Sequence, residues 1–136
     1  MGEAWYSNLV SEIISLNSKS QFTLNELENV LPYVYRITDE AQRELRQRIN
    51  RLDALPQKSS DLARKIESEI DDIVEHWEVK VKKLGGIPKG VWLVDFDSSQ
   101  GYYCWKFPET QIKFFHGYQE GFSGRKPLDG PKELDV

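Results

Sequence analysis

The stretch SDLARKIESEIDDIVEHWEVKVKKLGG (60–86), followed by IPKGVWLVDFDSSQGYYCWKF (87–107), contains a change of hydrophobic period that decides the fold class. In its first part Leu62, Ile66, Ile70, Ile73, Trp77, Val81 and Leu84 recur every three or four residues, the repeat of one helix face. Ser60 offers a start cap and Gly85-Gly86 a stop. Lys80, Lys82 and Lys83 suit the negative end of the helix dipole. In the second part the period drops to two. Strands are expected over residues 91–96 and 102–107, joined by the turn residues Asp97-Ser98-Ser99-Gln100-Gly101. Alternation places Trp92, Val94 and Phe96 on one face, and Tyr103, Trp105 and Phe107 likewise on one face. A third strand is expected over residues 112–116, reached through Pro108-Glu109-Thr110.

Towards the N-terminus the helical period continues. Thr23 and Glu26 form a capping-box pattern, with Phe22 and Leu27 placed for a hydrophobic staple. Leu27, Leu31, Val34, Ala41, Leu45, Ile49 and Leu52 follow at helical spacing, and Pro56 marks the far end. Pro32 lies inside the pattern and should bend the helix. The short link to Ser60 makes the two helices an antiparallel hairpin. Trp5, Leu9, Ile13 and Leu16 predict a further short amphipathic helix at the start. The fold class is therefore α+β in one domain. An N-terminal helix and linker (1–20) precede a long antiparallel helical hairpin (21–86), a small three-stranded antiparallel sheet with a Gly/Arg loop (87–128), and a tail (129–136).

Length sharpens the reading. A helix over residues 24–54 would run about 46 Å. A compact chain of 136 residues is only about 37 Å across. Either Pro32 breaks the helix, or the hairpin projects and associates with another chain.

Composition excludes several classes. Lys plus Arg is 18 and Asp plus Glu is 22, a net charge of −4. With a pI near 5.3, no basic face for nucleic acid is expected. No apolar run is long enough to span a membrane, and no signal peptide is read at the N-terminus, so neither a membrane partner nor export is expected. The one cysteine allows no intrachain disulfide and no cysteine-based zinc cage, and a cytoplasmic home follows.

Few residues carry chemistry. His116 sits at a strand end, where a backbone carbonyl can satisfy it or it can act on a ligand. Glu109, His116 and Arg125 are spaced to permit one cluster that holds an anion or moves a proton. In Gly121-Phe122-Ser123-Gly124-Arg125 the glycines allow a tight turn with exposed amides and Arg125 a bidentate donor. Against that stands a structural loop whose Phe122 plugs the core and whose arginine pairs with an internal acid. Cys104 reads as a small buried hydrophobe in preference to a nucleophile activated by His116. Glu69, Asp72 and His76 share a helix face but lack a second set of ligands, so they read as a solvated face and no metal or cofactor is expected. Arg43, Arg46, Arg48 and Arg51 against Glu40 and Glu44 read as a mixed-charge flank.

The fragments FTLNELENVLP, VDF, CWK, ExxIxxFH and GFSGRKPL, in that order over residues 21–128, resemble a small prokaryotic family catalogued as a domain of unknown function (twenty-two oh three). The resemblance implies a helical hairpin followed by a compact C-terminal unit, and no particular reaction. It groups Asp95, Glu109, His116 and Arg125 as a polar signature, with Trp105, Gly121, Phe122 and Gly124 around them. Pro108 replaces the family's glycine, and Asp97 its proline. The leading expectation is a non-enzymatic interaction domain that self-associates, a dimer being favoured. The alternative is a domain or enzyme for a small anionic ligand, built on Arg125, His116 and Glu109 with Gly124, Asp95 and Trp105 near.

Overall fold

The computed structural model describes residues 21–56 and 60–128. The expected N-terminal helix and the tail lie outside those residues. Thr23 caps helix α1 (Leu24–Asp53) with the full reciprocal box. Its hydroxyl accepts from the Glu26 amide at 3.1 Å, and its own amide donates to Glu26 Oε1 at 2.9 Å. α1 runs unbroken through Pro32, whose ring is on the exposed side. Helix α2 (Ser60–Lys83) returns antiparallel, with Ser60 as its first residue. It ends in a Schellman turn: the Gly86 amide donates to Val81 O and the Gly85 amide to Lys82 O, both at 3.0 Å. Gly85 has φ +93°, and a Cβ there would lie 2.5 Å from the Phe22 ring, so only glycine fits.

Five antiparallel strands follow in the order of the chain: β1 (Ile87–Gly90), β2 (Leu93–Asp97), β3 (Tyr102–Lys106), β4 (Phe114–His116) and β5 (Lys126–Pro127). The expected three-stranded sheet is corrected to five. The two strands missed are the edges, and each holds a proline, Pro88 or Pro127. Proline breaks the sequence signal for a strand, yet an edge tolerates it because one side of the strand has no ladder to lose. The strand expected from residue 91 begins at Leu93, because Val91 and Trp92 form the turn between the paired Gly90 and Leu93. Trp92 takes φ 67° there, and its indole packs edge-on to Trp77 with centroids 5.0 Å apart. That contact fastens the turn to α2.

Register assigns the two faces of the sheet. Val94 pairs with Trp105, and Phe96 with Tyr103. This face closes one core with Leu27, Leu31, Val34 and Ile37 of α1 and Trp77 and Val81 of α2. The buried Trp77 Nε1–H donates to Thr38 Oγ1 at 2.8 Å, and Thr38 donates on to Val34 O at 2.7 Å. Among the described residues, the hairpin beyond Ala41 has only its own two helices to pack with. There Arg48 bonds Glu69 at 3.1 Å, while Ile49 and Leu62 stay 41% and 43% exposed.

Candidate functional site

The opposite face of the sheet carries the polar signature. Asp95 lies directly across from Cys104, Cys104 from Phe114, and Tyr102 from His116. The 97–101 turn fixes the first pairing: Ser98 donates its amide to Gly101 O at 2.9 Å, and Asp97 Oδ1 accepts from the Ser99 amide at 2.9 Å. The segment 117–125 then folds back over this face and covers it. Asp95, Cys104 and His116 are consequently buried, although all three are ionisable.

His116 is bonded at both ring nitrogens. Nδ1 lies 3.0 Å from Gly117 O, and Nε2 lies 3.1 Å from each oxygen of Asp95. A carbonyl oxygen only accepts, so Nδ1 carries a proton and Nε2 is the atom that meets the carboxylate. Tyr102 leans on the ring, with centroids 5.5 Å apart.

Arg125 and Glu109 form a second unit. Arg125 Nη2 donates to Glu109 Oε2 at 2.9 Å, while the Lys106 amide donates to Glu109 Oε1 at 2.9 Å. Trp105 Nε1–H donates to Glu109 O at 2.7 Å, which pins the turn that presents this carboxylate. The guanidinium is stacked between Phe114 and Phe122, 3.8 and 4.3 Å from their ring centroids. Burial works against the Arg125 charge, but Glu109 and Cys104 outweigh it and raise its pKa.

The expected cluster of Glu109, His116 and Arg125 is thus two pairs, Glu109–Arg125 and Asp95–His116. Cys104 stands between them: Arg125 Nη1 is 3.8 Å from its Sγ, and Asp95 faces it across the ladder. Burial pushes the Cys104 thiol up to about 11, so without an added charge it stays protonated at neutral pH. This junction role was not read from the sequence. The turn chemistry at 97–101 implies the Asp95–Cys104 pairing, but nothing local fixes the β3–β4 register that brings in His116.

The glycine loop also differs from the open anion cradle expected as one reading. Phe122–Gly124 is a single 3₁₀ turn, in which the Gly124 amide donates to Gly121 O at 2.9 Å and the Arg125 amide to Phe122 O at 3.1 Å. Those two amides are occupied within the turn. Gly124 sits close to its neighbour: a Cβ there would lie 3.1 Å from Glu120 Cβ, so the exposed Glu120 side chain would have to give by a few tenths of an ångström. Phe122 is 38% exposed and stacks on Arg125, so it does not plug the core. His76 is exposed on α2, and Glu69 is engaged by Arg48 and Arg51. Beside the Asp95–His116 pair lies a cavity of about 300 Å³, lined also by Lys89, Tyr102, Tyr118 and Phe122.

Fold and site together define an α+β protein in which a helical hairpin backs one face of a five-stranded antiparallel sheet. Its other face holds a buried polar row. The chain belongs to the family described as "Uncharacterized conserved protein (DUF2203)", whose model matches residues 20–128. No curated protein and no solved structure was found to match it. No helix among the described residues is long and apolar enough to cross a membrane.

Proposed function

We propose that this chain is a non-enzymatic interaction domain that self-associates as a dimer through the projecting half of its hairpin. One observation carries the reading. Beyond Ala41 the sheet no longer covers the helices, and Ile49 and Leu62 remain 41% and 43% exposed on a surface whose two helices cannot bury each other's whole apolar stripe. α1, at 30 residues, is about 45 Å long and outreaches the core that the sheet completes. The unbroken course through Pro32 supports projection over a broken helix. The mixed charges of Arg43, Arg46, Arg48 and Arg51 with Glu40 and Glu44 flank the stripe in the manner of an interhelical seam.

The alternative, a small-anion enzyme using Arg125, His116 and Glu109, is weakened by their bonding. Both nitrogens of His116, both oxygens of Glu109 and both faces of the Arg125 guanidinium are engaged within the chain. The unpaired, buried Cys104 suits a reducing prokaryotic cytoplasm, the compartment we assign to it.

Native mass spectrometry at low micromolar concentration tests the proposal. A dimer is expected, reverting to monomer in Ile49→Lys/Leu62→Lys with an unchanged circular dichroism spectrum. A strictly monomeric wild-type chain overturns it, and the bare stripe would then be covered by another part of the chain. A small-molecule adduct lost on Arg125→Ala would restore the alternative.

A further inference from the structure

We propose that Asp95, Cys104 and His116 form a site for one divalent transition-metal ion of the zinc class. The inference is independent of oligomeric state, because all three residues come from adjacent strands of one chain, β2, β3 and β4.

The donor set comes first. An imidazole, a thiol and a carboxylate converge with their ligand atoms all within 4.8 Å of one another, and all three are buried. Tetrahedral zinc, with bonds of about 2.0–2.3 Å, sets neighbouring ligand atoms roughly 3.3–3.7 Å apart. His116 Nε2 already lies 3.1 Å from both Asp95 oxygens. The sulfur is carried by the central strand directly opposite Asp95, no more than 4.8 Å from the other two ligand atoms.

The bonding of His116 is the second argument. Its Nδ1–H is committed to Gly117 O at 3.0 Å, the backbone contact that orients a metal-binding imidazole from behind. Nε2 is then the coordinating nitrogen. Neither a carboxylate nor an unprotonated Nε2 donates, so either a second ring proton, giving an imidazolium–carboxylate pair, or a bound cation must lie between them. A cation shared by Nε2, the carboxylate and the sulfur meets that need. Among the described residues Asp95 has no lysine or arginine as an ion-pair partner, since Arg125 is paired with Glu109. Only a protonated His116 could otherwise balance this buried carboxylate, and a metal supplies a permanent positive charge there.

Access and selectivity agree. The cavity of about 300 Å³ reaches both Asp95 and His116, giving an entry path and room for water as the fourth ligand. A thiolate with an imidazole selects zinc-class ions over magnesium or calcium. On coordination the Cys104 proton leaves to solvent and the sulfur binds as thiolate. Arg125, 3.8 Å from Sγ, is placed to donate to that thiolate.

Cobalt(II) titration of the full, chelator-stripped chain tests this. The sequence has one cysteine, so a thiolate-to-cobalt band in the near ultraviolet can only report Cys104. The expected result is such a band, saturating at one cobalt per chain with visible absorption of a tetrahedral ion, and bleached by equimolar zinc. Cys104→Ser should abolish the band and weaken zinc binding by more than about 100-fold, beyond the usual effect of an outer-shell change. His116→Gln should weaken it similarly, and His76→Ala should leave it unchanged. A wild-type titration without the band overturns the proposal, as does a band that survives in folded His116→Gln at the same affinity. If the buried variants fail to fold, the wild-type spectrum and its displacement by zinc decide alone.

Discussion

At the residue scale, the structure distinguishes buried polar groups with complete bonding from exposed pairs that only tune it. Thr38 belongs to the first kind. Its hydroxyl accepts from Trp77 and donates to Val34 O, and all of this is buried. Thr38→Val keeps the shape but strands the indole N–H, so urea unfolding should show a loss of about 1–3 kcal/mol with an unchanged slope. A loss below about 0.5 kcal/mol would show that the indole finds another acceptor. Asp97 and Tyr118 are the second kind. The Tyr118 hydroxyl donates to Asp97 Oδ1 at 2.6 Å, and this bond foremost holds the Asp97 carboxyl below its usual range. A lowered folded pKa gives stability that is present above the ordinary aspartate value of about 3.9 and is lost as pH falls through the lowered one. Tyr118→Phe should therefore melt lower than wild type near pH 6, with the difference shrinking below about pH 4. A difference in melting temperature that stays constant from pH 6 to pH 2 would sink that account. The pair is exposed, so the effect is small.

At the scale of elements, α1 and the sheet edges show how local rules yield to context. The capping box at Thr23–Glu26 and the Gly85-Gly86 stop are as their sequences require, because each is satisfied by neighbours within a few residues. Pro32 does not end α1. It removes one helical hydrogen bond, but the turns on either side bury Leu27, Leu31 and Val34 in the core. Burial of those side chains outweighs the lost bond. Pro32→Ala should restore the missing amide on the exposed side and raise stability by about 1–3 kcal/mol, less any entropy returned to the unfolded chain. A melting temperature that falls would mean that the proline ring itself is held by a contact. The strand signal failed where prolines sit at the sheet edges, Pro88 and Pro127, and where Trp92 turns the chain at positive φ. No alternation rule can see a strand of two residues.

At the scale of the molecule, stability is uneven along the hairpin. The half beside the sheet joins the single core, while the half beyond Ala41 has Ile66 as its one fully buried apolar side chain among the described residues. Amides of residues 44–53 and 60–68 should exchange with deuterium faster than those of 30–41 in dilute protein, and slow as concentration favours the dimer. Uniform protection along α1 at every concentration would contradict both the gradient and the association. The sequence alone determined the two described helices, the Thr23 capping box, the Gly85-Gly86 stop, the central strands and the turn at 97–101, because each depends on period and on neighbours close along the chain; Ser60, expected as a cap, is instead the first residue of α2. It also marked Asp95, Glu109, His116 and Arg125 as a group through family resemblance. Only the tertiary structure decided how that group divides. The β3–β4 register places His116 with Asp95, and the returning loop places Arg125 with Glu109. Cys104 falls between the pairs for the same reason. Contacts spanning some twenty residues are set by which sheet face is buried and by a loop folding back. Neither leaves a mark in the local pattern, since shifting a strand's pairing changes every cross-strand neighbour while the sequence stays the same.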